Sequence, residues 1–392
     1  MSNNENSKTA KTLGNIVLEV AVPGLIKALE DPDEYVRAKA VEALGNIRSE
    51  AAISVLFNAL EDSEDYVRWN AAKALVKIGT ETATLCLIKA LEHSNEDVRA
   101  SAAKALGNLK SEIASLSLLK ALEDSNVEVR ACAIIALGDI GLEIAVPGLL
   151  KALEDSSVSI RWKAAYALAK IKTESTIAGL SELLEQPDKA VCEMAAKTLG
   201  MIGSEATIPG LLKVLEHHDE NIRVIAIEAL GKMRSEAAIP GLLKALEYSI
   251  VLVNASAAEA LAEMRSEAAI PGLLKALKGP NKYVRRRAIY ALSYIGSEAA
   301  IPGLLTALED SNEDIRENAA EVLSNIGSEV AVPELLKALK DNNKTVRKYA
   351  AEALGKTGLE ETIPALVAAL SDVDDRVRLS ATAAIDKICS RH

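Results

Sequence analysis

A residue pattern recurs every 31 positions along this chain without one insertion or deletion, and nothing else constrains its fold as tightly. Steps of 31 from Arg37 reach Arg68, Arg99, Arg130, Arg161, Cys192, Arg223, Asn254, Arg285, Arg316, Arg347 and Arg378. Ala stands three residues after each of these twelve positions, from Ala40 to Ala381, and Leu stands eight and twelve residues before each, as in Leu29 and Leu25. A fixed period of roughly 20–50 residues marks stacked supersecondary units. It overrides the two or three globular domains that a length of 392 residues would otherwise suggest.

Taking the recurrent Arg position as zero, residues −1, +3, +4, +7 and +10 are apolar nearly throughout, as in Val36, Ala40, Val41, Leu44 and Ile47. That is one face at a 3.6-residue period, and it predicts a helix, B. Residues −15, −12, −11 and −8, as in Val22, Leu25, Ile26 and Leu29, predict a second helix, A, separated from B by a polar segment such as Glu30 to Asp33. Side-chain oxygens four residues before position zero (Asp33, Asn95, Asn126, Ser157, Asp188, Asp219) suit the N-cap of B. Gly79, Gly141, Gly203, Gly296 and Gly327 suit a positive φ past its end. Proline at −14, as in Pro209 and Pro302, fits the first turn of A, where its missing N–H has no partner to lose. The Ser-Glu ahead of it, as in Ser204-Glu205, caps a short lead-in turn.

Aromatics are only 3% of the residues against 49% apolar, so the core must be Ala, Leu, Ile and Val, which suits small, closely packed helices. The net charge of −11 opposes general attraction to nucleic acid or an anionic membrane. No stretch reaches the roughly 18 consecutive apolar residues of a membrane span, and the start, MSNNENSKTAKT, has no apolar targeting core. A cytoplasmic chain is expected. Cys86, Cys132, Cys192 and Cys389 are scattered, as reduced thiols would be.

Stretches such as SNEDVRASAAKALGNLKSE and AIPGLLTALEDSNEDIRENAAEVLSNIGSE resemble HEAT repeats, and in particular the short HEAT-like class named after phycobilisome lyases. The resemblance covers residues 13 to 392. It implies an all-α, right-handed α-solenoid of the armadillo/HEAT type, built from about twelve 31-residue helix pairs. Residues 1–18 then form a polar leader and a degenerate half repeat, Ala10 to Ile16, which matches Ala196 to Ile202; residues 19–392 form one elongated array. Each pair is too small to bury its own apolar face and must pack on its neighbours.

The recurrent Arg could be mistaken for a phosphate-binding row. Asp lies six residues earlier in seven registers (Asp31, Asp62, Asp124, Asp155, Asp310, Asp341, Asp372), which predicts an Asp/Arg ladder between repeats. Cys192 and Asn254, where Arg is missing, also lack the Asp of their own register (Gln186, Tyr248), as though charge and partner were lost together. Lys and Glu at −10 and −7, as in Lys27/Glu30 and Lys213/Glu216, read as i,i+3 pairs on a solvated face. The HEAT-like enzyme deoxyhypusine hydroxylase holds two irons with His-Glu dipeptides; this chain has none. His217-His218-Asp219 reads as a solvated loop. No triad, phosphate loop or paired-Cys motif occurs, so no catalytic, metal or cofactor residue is assigned.

Positions −2, +1, +2, +5 and +9 vary freely and lie opposite the buried stripe of B, on the helix face that lines the concave groove of HEAT-like arrays. Two places stand out there. One joins Trp162 and Tyr166 to Met194 and Met201; the other joins Tyr248, Ile250 and Leu252 to Arg286, Arg287, Tyr290 and Tyr294. Aromatics and Arg are what binding hot spots favour. Trp69 stands alone and reads as drift of the repeat. These residues predict a non-enzymatic scaffold that holds another protein or peptide in the groove, with nucleic acid and membrane disfavoured. The resemblance implies a further reading, a phycobilin lyase or phycobilisome-associated chaperone-like factor, and the half repeat at the start suggests a third, a regulatory or sensor arm of a larger signalling protein. A monomer is expected, with the C-terminal helix, Val377 to Ile388, the surface for end-to-end association at high concentration.

Overall fold

A computed structural model of the chain describes residues 20–390. The half repeat at Ala10 to Ile16, and His392, lie outside the described residues. Regular structure among the described residues is helical, without strands, and no helix is long and apolar enough to cross a membrane. The chain divides into two compact units, one ending at Ile202 and one starting at Gly203, and each holds six helix pairs. The B helices of the first are Glu34–Ile47, Asp65–Ile78, Glu96–Leu109, Val127–Ile140, Val158–Ile171 and Lys189–Ile202. Those of the second are Glu220–Met233, Val251–Met264, Lys282–Ile295, Glu313–Ile326, Lys344–Thr357 and Asp375–Cys389. The A helices are shorter, from Val22–Ala28 in the first repeat to Ile363–Ala369 in the twelfth.

The seventh repeat shows how local sequence sets these bounds. Ser204 Oγ accepts the Ala206 N–H at 3.4 Å and opens a single 3-10 turn, Glu205–Thr207. Helix A follows as Ile208–Val214 with Pro209 in its first turn. Asp219 Oδ1 then accepts the N–H groups of Asn221 at 2.9 Å and Ile222 at 3.4 Å, capping helix B. Helix A begins differently where Thr takes the place of Ser: Thr80 and Thr173 cap ten-residue A helices directly, and the lead-in turn is absorbed.

Helix B stops in a left-handed residue at +11 in eleven repeats. Six are glycines, the five expected and Gly358; Arg48, Lys110, Lys172, Arg234 and Arg265 take the same conformation with φ of 49–56°. A side chain there costs about 1–2 kcal/mol. The positive charge at the helix C-terminus offsets part of that cost.

Within each unit every B helix packs on the next B helix, and A packs against its own B. The Ala at +3 is buried in every repeat, as are Leu at −12 from the second repeat onward and Leu at +7 through the eleventh. Contact between B helices is close. A Cβ on Gly138 would lie 2.7 Å from Ala167 Cβ, and one on Gly107 would lie 2.8 Å from Ala136 Cα, so backbone meets backbone where even a methyl group has no room.

Candidate functional site

Position zero does one job throughout. In all twelve repeats its side chain donates to the backbone carbonyl six residues earlier, at the end of helix A. Arg37 reaches Asp31 O at 2.9 Å and Arg130 reaches Asp124 O at 2.8 Å. Where Arg is absent, Cys192 Sγ reaches Gln186 O at 3.0 Å and Asn254 Nδ2 reaches Tyr248 O at 3.2 Å. The residue is therefore a side-chain cap for carbonyls that helix A leaves without intrahelical donors.

The far edge of the guanidinium makes the ladder, and its direction corrects the sequence reading. Arg pairs with the Asp of the following repeat, 25 residues on: Arg37 with Asp62, Arg99 with Asp124, Arg130 with Asp155, Arg285 with Asp310, Arg316 with Asp341 and Arg347 with Asp372, at Nε–Oδ2 distances of 2.7–2.9 Å. Gln186 and Tyr248 are thus the missing partners of Arg161 and Arg223, not of Cys192 and Asn254. The Nε groups of both arginines are buried without an acceptor. Arg223 lies 5.8 Å from the centre of the Tyr248 ring, so Tyr248 stacks on a guanidinium in place of a carboxylate. Arg68, facing His93, turns to Asp65 and Asp97. Lys/Glu pairs also cross repeats: Glu216 takes Lys244 at 2.7 Å, Glu92 takes Lys120 and Glu123 takes Lys151.

A missing step can be restored. Gln186→Asp is expected to raise the unfolding free energy of the first unit by about 1 kcal/mol, the net worth of a hydrogen bond to a charged partner after desolvation. A higher denaturant midpoint than wild type, absent when Arg161→Ala is added, is the check.

On the variable face of the first unit, Trp162 is 45% and Tyr166 61% exposed. Both line a cleft of about 540 Å³ with Ile135, Gly138, Ser159, Lys163, Ala167 and Lys170. Lys170 Nζ sits 4.9 Å from the centre of the Tyr166 ring, and Lys197 Nζ 5.6 Å from Trp162. Met201 is exposed. Met194 departs from the expected set: it is only 6% exposed, packed into the interior rather than offered to a groove. In the second unit, Arg286, Arg287 and Tyr290 line one wall of a cleft of about 480 Å³ whose other wall carries Asp314, Glu317 and Glu321. Tyr290 and Tyr294 rings lie 4.9 Å apart. Leu252 is exposed, whereas Tyr248 and Ile250 are half-buried beneath their loop.

Trp69 is not alone. Tyr35, Tyr66 and Trp69 form a row with 6.3 Å between successive ring centres, and Lys73 Nζ lies 4.6 Å from the Trp69 ring. Trp69 opens a cleft of about 260 Å³ with Ala72, Lys73, Val76, Ser101, Lys104, Ala105 and Asn108. These aromatics stand at −2, −2 and +1, two of the variable positions. Sorting aromatics by repeat position rather than by local clustering would have found them. His217 and His218 stack at 4.1 Å, and His217 Nδ1 accepts the Asp219 N–H; among the described residues no group of His, Cys, Asp and Glu is arranged to hold a metal.

HEAT repeats match the sequence in ten overlapping segments that run from residue 22 to residue 386. The chain belongs to the HEAT repeat family. Among solved structures, the crystal structure of a Kap121p mutant shares the fold, at 13% identity and a TM-score of 0.55 over 95% of this HEAT chain and 50% of that one. Another match is the structure describing how Kap95p binding induces the GTP-bound conformation of the RanGDP switch loops, at 16% identity and a TM-score of 0.46 over 100% of this chain and 59% of that one. The chain thus spans about half to three fifths of the length of these proteins. Human deoxyhypusine hydroxylase with glycerol matches at 24% identity and a TM-score of 0.30, over 65% of this chain and 99% of that one. No curated protein sequence matches the chain.

Proposed function

We propose that this HEAT repeat protein is a non-enzymatic protein-binding scaffold and that the variable face of its B helices receives the partner. One observation carries the reading. The aliphatic seam repeats with almost no change, while Trp69, Trp162, Tyr166, Arg286, Arg287, Tyr290 and Tyr294 all fall on the single helix face that varies. Trp, Tyr and Arg are the residues that dominate binding energy when they line clefts.

The test uses the full chain as bait, with the captured partner purified and its affinity measured against two variants, Trp162→Ala/Tyr166→Ala and Arg286→Ala/Arg287→Ala/Tyr290→Ala. At least one is expected to weaken binding tenfold or more. Unchanged affinity in both would remove this face as the binding surface.

Membership of the short class named after phycobilisome lyases rests on the resemblance of units such as SNEDVRASAAKALGNLKSE and belongs to the same proposal. A linear tetrapyrrole mixed with the protein is expected to keep its absorbance spectrum; a shift would favour the lyase reading instead.

A further inference from the structure

Two tryptophans, the chain's full complement, bracket a stretch of the first unit's B-helix face. Both stand at +1, in repeats 2 and 5, and the same position in the two repeats between them holds Ala100, half-buried, and Ala131, buried. A floor of small residues therefore runs between two exposed indoles. Each indole opens its own cleft, with Ala72, Val76 and Ala105 at Trp69, and with Ile135, Gly138 and Ala167 at Trp162.

The charge of this trench is unlike that of the chain. Two of its carboxylates are ion-paired, Asp97 with Arg68 and Asp139 with Lys170 at 2.7 Å, while Glu128 accepts only the Cys132 thiol at 3.7 Å and keeps its charge. Lys73, Lys104 and Lys163 make no ion pair among the described residues, although Lys163 donates to Ser159 Oγ at 3.1 Å. Cys132, on the floor between them, lies in the fields of Glu128, Lys104 and Lys163. In a protein of net charge −11, three lysines against the one unpaired carboxylate of Glu128 leave a local positive excess between two aromatic clefts, which calls for an anionic occupant with apolar ends.

We infer that the trench from Trp69 to Trp162 holds an extended acidic peptide whose apolar side chains enter the two tryptophan clefts. This rests on the B-helix face being the partner surface. The clefts lie between the second and third and between the fourth and fifth B helices, so two steps of about 8–10 Å each put them about 16–20 Å apart. An extended chain covers that with about five to six residues. Single-stranded nucleic acid suits the trench less well. It would bring a phosphate at every nucleotide past Asp97, Glu128 and Asp139, whereas a peptide places its carboxylates only opposite the lysines.

Because Trp69 and Trp162 are the chain's two tryptophans, its intrinsic fluorescence reads the trench directly. The probe is a synthetic heptapeptide with Phe at both ends and Glu, Asp and Gly between, titrated into the full chain. Saturable quenching or a blue shift is expected. Lys73→Glu/Lys104→Glu, both surface changes, should weaken it at least tenfold, as should closing the Phe spacing to two residues; Lys275→Glu, exposed on a helix A of the second unit, should leave it unchanged. No saturable response, equal binding of a Lys-for-Glu peptide, insensitivity to Phe spacing or to the charge reversals, or tighter binding of an oligo-dT strand would each overturn the inference. A random dodecamer library panned on the same chain separates this failure from that of the broader reading. Enrichment of non-acidic peptides that Arg286→Ala/Arg287→Ala abolishes would sink the trench and keep the B-helix face, while no enrichment would sink both.

Discussion

Arg99→Ala is expected to destabilise the first unit by about 3 kcal/mol, the lower end of the roughly 3–5 kcal/mol for removing one partner of a buried pair, because some water still reaches the ion pair. The loss is compound. Arg99 holds Asp124 through Nε–Oδ2 at 2.7 Å and Nη2–Oδ1 at 2.9 Å, and its Nη1 caps His93 O at 2.8 Å and Ser94 O at 2.9 Å. Truncation leaves a half-buried carboxylate and two helix-end carbonyls without their donor at once. Arg99→Lys should recover only part of the loss, since an ammonium cannot fork to a carboxylate and a carbonyl together. Urea unfolding of the two variants and of Arg99→Ala/Asp124→Ala would show it, the double variant costing less than the sum of the singles.

The same pair sets an acid limit. The Arg99 fork holds the Asp124 carboxyl below its ordinary value of 3.8, as Arg37 does for Asp62 and Arg347 for Asp372. At Asp155 and Asp341 burial pulls upward, and the arginine with a backbone N–H outweighs it. A carboxyl lowered in the folded state contributes stability that is present above the unfolded value and lost as pH falls through the folded one. Stability is therefore expected to hold down to about pH 4 and to drop below it. In Arg99→Ala the drop should be shallower by one carboxyl. An unchanged acid slope in that variant would mean the ladder does not set the limit.

Leu149→Ala is expected to cost about 2–5 kcal/mol, because a fully buried leucine leaves both lost transfer energy and a cavity that rigid neighbours cannot close. Leu149 is inaccessible to solvent at the −12 position of the fifth repeat, where helix A meets the seam. In a chain stabilised by nearest-neighbour interfaces, the damage should stay local. Hydrogen exchange is expected to show lost protection in repeats 4–6 with the second unit unaffected. Uniform loss over the whole chain would contradict a stack of semi-independent repeats.

Much of the architecture was legible because each helix is specified twice, by its apolar period and by its ends. Ser204, Pro209 and Asp219 bound their helices as chemistry requires. Five cationic residues in left-handed positions escaped notice, since Arg234 or Lys110 carries no sign of its conformation where glycine would. On the variable face, Trp162 and Arg286 were found as local clusters. Tyr35, Tyr66 and Trp69 were not, because what joins them is the step between helices rather than nearness along the chain. Met194 failed the other way: its position allows exposure, and packing buries it.

The sequence by itself determined the repeat length, the two helices in each unit, their caps and the aliphatic seam, all of which follow from local periodicity and backbone chemistry. Only the tertiary structure decided which copy of a residue meets which. In an array of period 31, an Asp six residues before one Arg is also 25 residues after the previous one, so Arg130 with Asp124 and Arg130 with Asp155 are the same pattern on paper. The stacking of helices chose the second for the carboxylate, since the guanidinium spends one edge on its own repeat's carbonyl and can give the other only to the next.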